Sequence, residues 1–145
     1  MIIELKGVEF QNKGAKLMLL ACIDVLRREF PEASFALCTS SKTLATDVRA
    51  IPAYRKISFR KGWLDVNALC DFIPKFFRKL FFKLGVVTEA DIDMVIDAAG
   101  FSYSDQWKAK TRIYHLVNEL HRFSKRGKPY VFLPQAFGPF TNTVN

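Results

Sequence analysis

Three short segments carry residue types suited to chemistry on a polyhydroxylated substrate. The first runs from Gly7 to Ala15 and contains Asn12-Lys13-Gly14. Asn12 can cap a following helix, and Gly14 lets backbone approach a ligand closely. The free N–H groups of a helix start also attract an anion. The second segment reads Asp97-Ala98-Ala99-Gly100-Phe101-Ser102-Tyr103-Ser104-Asp105-Gln106-Trp107. It gathers carboxylates, hydroxyls, an amide and aromatic rings beside a glycine. Polar groups for hydroxyls, with ring faces for C–H surface, suit a sugar. Asp105 reads equally as a helix cap and Trp107 as a core anchor. The third segment is Pro134-Gln135-Ala136-Phe137-Gly138-Pro139-Phe140. Two prolines and a glycine stiffen it, which serves either to place Gln135 or to turn a corner.

Other chemistry is disfavoured. His115 lies opposite the apolar stripe of its helix and is expected in solvent, and His121 sits at the stripe's edge. Cys22, Cys38 and Cys70 are expected as small buried hydrophobes in a helix, a strand and a helix. No Cys/His spacing fits zinc, and no carboxylate cluster suggests another metal, so no metal site is expected. The first loop lacks the Gly-x-Gly-x-x-Gly pattern. Strand two also ends in Thr39-Ser40-Ser41-Lys42 with no acidic residue for a ribose, against a nicotinamide dinucleotide site.

The elements that must position these loops alternate regularly. Strands are expected over Ile2 to Leu5, Ser34 to Cys38, Lys56 to Phe59, Asp93 to Asp97 and Pro129 to Leu133. Helices are expected over Gly14 to Arg28, around Ser41 to Arg49, from Pro74 to Gly85, and over Trp107 to Lys125 with Ile113, Leu116, Val117 and Leu120 facing inward. The fold class is therefore α/β: a Rossmann-like doubly wound, mainly parallel sheet of about five strands with helices on both faces. Ligands bind such sheets in the crevice beyond the carboxyl ends of the strands, where the three segments fall. The 145 residues, 50% hydrophobic and 25% charged, suit one domain spanning residues 1–145 and exclude a disordered chain. Three cysteines do not make a disulfide scaffold and point to a cytoplasmic setting. No uncharged apolar run is long enough for a membrane span.

The formal net charge is +8. Nine basic and two acidic residues lie between Arg49 and Lys83, so nearly the whole excess belongs to one segment. In the helix starting at Pro74, Phe76, Phe77, Leu80, Phe81 and Leu84 share one face. Lys75, Arg78, Lys79, Phe82 and Lys83 share the other. The plain expectation is that the phenylalanines pack on the core and the basic side is solvated. The sharper one is a basic face lying on an anionic membrane or on another domain. Nucleic acid is not expected, because the aromatics point away from the charges.

In order and spacing, the three segments resemble the polysaccharide pyruvyl transferase family. The matching stretches are those around Phe10 to Leu20, Asp97 to Trp107, and Gly127 to Phe140. One departure is Ala99-Gly100, where the family often has paired glycines. The resemblance implies a transferase that moves a pyruvyl group from phosphoenolpyruvate, as co-substrate and without a cofactor, onto two sugar hydroxyls as a ketal, in exopolysaccharide biosynthesis. It also implies a fold of two Rossmann-like halves, as in two-domain glycosyltransferases. Residues 1–145 would be the N-terminal half, inactive without a C-terminal half that holds most donor-binding residues. Carried over residue by residue, the substrate contacts are Asn12, Gly14, Asp105, Gln106 and Gln135, with Asp105 the candidate base. The implied partners are a sugar or lipid-linked oligosaccharide acceptor and the missing domain. The implied location is the cytoplasm, at the inner face of the membrane. The alternatives are a glycosyltransferase half that binds a nucleotide sugar, and a non-enzymatic membrane-surface module.

Overall fold

A computed structural model describes residues 1–8, 12–38, 51–99, 102–103, 110–135 and 138. Six parallel strands form one sheet: β1 Ile2–Lys6, β2 Ser34–Cys38, β3 Ala53–Lys56, β6 Val86–Val87, β7 Met94–Asp97 and β8 Tyr130–Phe132. Their order is β6-β3-β2-β1-β7-β8. A separate antiparallel ribbon joins β4 Arg60–Lys61 to β5 Leu64–Asp65. The helices are α1 Lys13–Glu29, α2 Lys75–Lys83 and α3 Lys110–Lys125, with 3₁₀ turns at Asn67–Phe72 and Glu89–Asp91. The expected doubly wound α/β class is found, with six strands rather than about five. The helix expected around Ser41 to Arg49 lies outside the described residues.

Strand alternation sorts the core into two layers. Ile3 and Leu5 of β1 join Phe35, Leu37 and Ile96 under Leu19 and Ile23 of α1. On the opposite face, Ala36, Val87, Ile92 and Val95 surround Phe123 of α3. α1 starts where Asn12 caps it and ends past Arg27 and Arg28, whose charges suit the carbonyl end of the helix. α3 ends in a Schellman turn. Gly127 adopts φ +63°, its N–H bonds the Ser124 carbonyl at 3.0 Å, and the Lys128 N–H bonds the Phe123 carbonyl at 3.0 Å.

Two helices are turned differently from expectation. In α3 the buried positions are Leu116, Glu119 and Phe123, while Val117 is exposed, so a glutamate occupies the inward stripe. α2 is rotated from expectation: Phe82, though 42% exposed, stacks on Tyr54 at 4.4 Å between ring centroids, and Arg78 pairs with Asp91 at 2.5 Å. Of the expected inward face, Phe81 is partly buried. Phe76, Phe77, Leu80 and Leu84 face solvent, and α2 buries no residue fully. Strand β3 also begins three residues before the expected Lys56 to Phe59. Its inward residue Lys56 is buried by ion pairing, so apolar patterning did not mark the strand.

The chain lays down β1, β2, β3 and β6 outward on one side, then returns to the other side of β1 with β7 and β8. The order therefore reverses between β1 and β7. The crevice beyond their carboxyl ends is where ligands bind in such sheets.

Candidate functional site

At this switch point the loops leaving β1 and β7 touch. Gly7 adopts φ +74°, and a Cβ built there would lie 2.3 Å from the Ala99 Cα. Only glycine fits both the left-handed conformation and the contact. On the α3 side of this contact opens a cavity of about 490 Å³. Lys6 reaches it from the end of β1, Arg60 from β4, and Thr111, Arg112, His115 and Leu116 from α3, with Ser102 and Tyr103 from the loop after β7.

His115 is thus not the solvated histidine expected. Its side chain is half-buried, Nε2 lies 2.7 Å from the Gly62 carbonyl oxygen, and Nδ1 is 3.6 Å from Asp65 Oδ2. A carbonyl only accepts, so Nε2 is the donor of the first contact. Nδ1 makes no hydrogen bond among the described residues. Arg60 is held by Asp65 at 3.1 Å and by Glu119 at 3.3 Å. Arg112 is exposed, and its hydrogen bond to the Ser102 carbonyl is long at 3.4 Å.

Behind the cavity lies a buried ionic network. Lys56 Nζ contacts Glu4 at 2.6 Å and Glu119 at 3.2 Å, with all three residues almost wholly shielded from solvent. Lys6 pairs with Glu119 and donates to Tyr130 Oη at 2.8 Å. The hydroxyls of Tyr103 and Tyr130 donate to Asp97 Oδ2 at 2.5 and 3.0 Å, while Asp97 Oδ1 accepts from the Ala99 N–H. Asp97, buried at the end of β7, is thus satisfied by its own loop and by Tyr130. Arg122 binds Glu89 at 2.5 and 2.8 Å and Asp65 at 3.2 Å.

Burial alone would raise the Glu119 pKa, but Lys56, Lys6 and Arg60 outweigh it and hold the carboxyl well below the ordinary range. Glu4, desolvated by burial and facing the Glu119 charge, is pushed up despite Lys56. Burial works against the Lys56 ammonium, yet Glu4 and Glu119 raise its pKa. Desolvation and the Asp97 charge raise the Tyr103 hydroxyl, and desolvation with Glu119 and Asp97 raises Tyr130, so both phenols stay neutral. The cavity therefore has cations and a histidine at its wall and a rigid charged backing that fixes Lys6 and Arg60.

Asn12 is the cap of α1, its Oδ1 accepting from the Gly14 N–H at 2.9 Å and the Ala15 N–H at 3.4 Å. Gly14 lines a second cavity of about 460 Å³, on the α1 side, with Met18, Ile96 and Leu133; its walls are almost entirely apolar. The tip of β8 and the start of α1 thus border one space. Gln135 follows two residues after Leu133, and both its amide atoms are buried without a hydrogen-bond partner among the described residues. Such a group is costly and calls for a partner. Asp105 and Gln106 lie outside the described residues. Cys70 is buried and Cys22 partly so, but Cys38 is exposed, against expectation. Among the described residues no group of three or more His, Cys, Asp or Glu is placed to hold a metal, and no helix is long and apolar enough to cross a membrane.

Sequence reasoning missed Lys6, Lys56, Arg60, Arg112, His115 and Glu119. The available signal was charge inside apolar elements: Glu4 within the apolar strand Ile2 to Leu5, and Glu119 in the helix stripe between Leu116 and Phe123. Glu4, at least, can face the core only if it is paired.

An open parallel α/β domain with a polar cavity at its switch point belongs to the class that binds small polar ligands at the strand ends. A family model described as polysaccharide pyruvyl transferase matches residues 12–145, nearly the whole chain, and the protein belongs to that family. Neither a curated protein nor a solved structure gives a significant match.

Proposed function

We propose that the protein serves pyruvyl transfer from phosphoenolpyruvate to a sugar, forming a ketal in cell-surface polysaccharide biosynthesis. Family membership supports the reaction class, and the polar cavity at the switch point is the observation that carries the reading. In this reaction the central enol carbon gains two C–O bonds to sugar oxygens and loses its C–O bond to phosphate. One hydroxyl proton ends on the methylene, making a methyl group, and the other leaves with phosphate. The step needs a proton donor, a base and cations. Lys6, Arg60 and Arg112 would supply charge at the cavity wall, and His115 a group able to carry a proton. Asp105 remains the base suggested by resemblance. Asn12, Gly14, Gln106 and Gln135 are the proposed contacts to the sugar, and the donor's remaining contacts would come from a second lobe.

Saturation-transfer NMR of the full chain with methyl hexosides, phosphoenolpyruvate and sugar nucleotides tests this reading. The expected result is transfer to a hexoside and to phosphoenolpyruvate, with the phosphoenolpyruvate signal weakened about tenfold by Arg112→Ala, the scale of one charge-assisted hydrogen bond. Binding of a sugar nucleotide with no hexoside signal would overturn it in favour of a glycosyltransferase.

A further inference from the structure

Helix α2 attaches to the domain on the side of Arg78, Phe81 and Phe82 and turns Phe76, Phe77, Leu80 and Leu84 outward. Phe76 is 73% exposed and Leu84 70%, with Phe77 and Leu80 on the same arc. Phe72, one turn before the helix, is 81% exposed. At 100° per residue, Lys75, Lys79 and Lys83 form one row along the rim of this arc. All three are exposed, and none is in an ion pair among the described residues. No acidic residue occurs from Phe72 to Val87.

We propose that this face docks on an anionic lipid surface, with α2 lying in the interface plane. The apolar arc enters the boundary between headgroups and acyl chains, and the lysines, their stems along the apolar surface, hold their ammonium groups at the lipid phosphates. Charge selects this occupant. Protein–protein contact centres are depleted in lysine, whereas an uncompensated lysine row beside exposed phenylalanines matches an anionic interface. Compared with the sequence expectation, the lipid-facing set changes. Lys75, Lys79 and Lys83 remain, Phe76, Phe77, Leu80 and Leu84 replace Phe82, and Arg78 belongs to the attachment. α2 sits at the β6 edge of the sheet, with three strands between β6 and the β1–β7 crevice, so docking leaves the crevice open.

Flotation of the full chain with phosphatidylcholine vesicles, with and without phosphatidylglycerol, is the test. Flotation only with the anionic vesicles, declining as salt rises, is expected. Replacing Lys75, Lys79 and Lys83 together by Gln should weaken partition about a hundredfold. Phe76→Ser with Leu80→Ser should abolish it, with thermal melts confirming that both variants fold. Phe82→Leu, on the attached side, should float like the parent. The proposal is overturned if no vesicle is bound, if neutral vesicles bind equally, or if the apolar face instead mediates concentration-dependent self-association that Phe76→Ser with Leu80→Ser removes.

Discussion

Lys56, at the carboxyl end of β3, and Glu119, in the middle of α3, meet across 3.2 Å with both side chains at most 3% exposed. Glu119 also takes Lys6 and Arg60, so one carboxylate pairs with cations from β1, β3 and the β4–β5 ribbon. The substitution Glu119→Gln leaves these cations undercompensated. A loss of about 3–5 kcal/mol in urea unfolding is expected. A loss below about 1 kcal/mol would show that the pairing contributes little.

The same residue sets a pH dependence. Its folded pKa is depressed, so its stabilisation is present above the ordinary glutamate value of 4.5 and is lost as pH falls through the folded value. Glu4 acts oppositely: its pKa is raised, so its contribution is present below 4.5 and lost as pH rises. Melting temperatures measured from neutral pH downward should fall steeply in the parent. Glu119→Gln should flatten that slope and Glu4→Gln should steepen it.

Gln135 presents a buried amide with neither atom satisfied among the described residues. If the amide is kept for the acceptor sugar, Gln135→Leu should stabilise the free protein by about 1–3 kcal/mol while removing hexoside binding. Lower stability together with unchanged binding would assign Gln135 to the fold.

Asn12 separates in the same way. Asn12→Ala should cost about 1 kcal/mol through the lost cap, and Asn12→Ser should restore stability. Hexoside binding that returns with Ser marks the cap as the residue's whole contribution. Binding that stays lost points to direct contact.

Gly7 tolerates no side chain. Gly7→Ala must force a Cβ against the Ala99 backbone at a positive φ, and a loss above about 1 kcal/mol is expected in denaturant unfolding. A neutral result would mean that the two loops part easily.

The class of fold was legible because β1, β2 and β7 are short apolar runs between helical segments, and topology follows from that alternation. The orientation of α2 was not. Amphipathicity defines two faces of a helix but does not say which one docks, and here the ring of Phe82 and the Arg78–Asp91 pair decide it. The polar cavity was hidden for a related reason. Its backing consists of charged residues that neutralise one another at long sequence separation, and a pattern of hydrophobicity cannot report a partner such as Glu119 for Lys56. Asn12 was legible as a helix cap from helix-start chemistry.

The pairing of β1 with both β2 and β7 also bears on how the chain folds. Ile3 sits opposite Phe35 and Met94, and the Ile2 N–H bonds Asp93 across 91 positions. β1, made before both of its neighbours, is thus central in the finished sheet, and its second edge stays open until residues 94–97 emerge from the ribosome. Closing so large a loop comes late and slowly. Folding of this domain should therefore be limited by capture of β7, with an unpaired central strand exposed to aggregation until then.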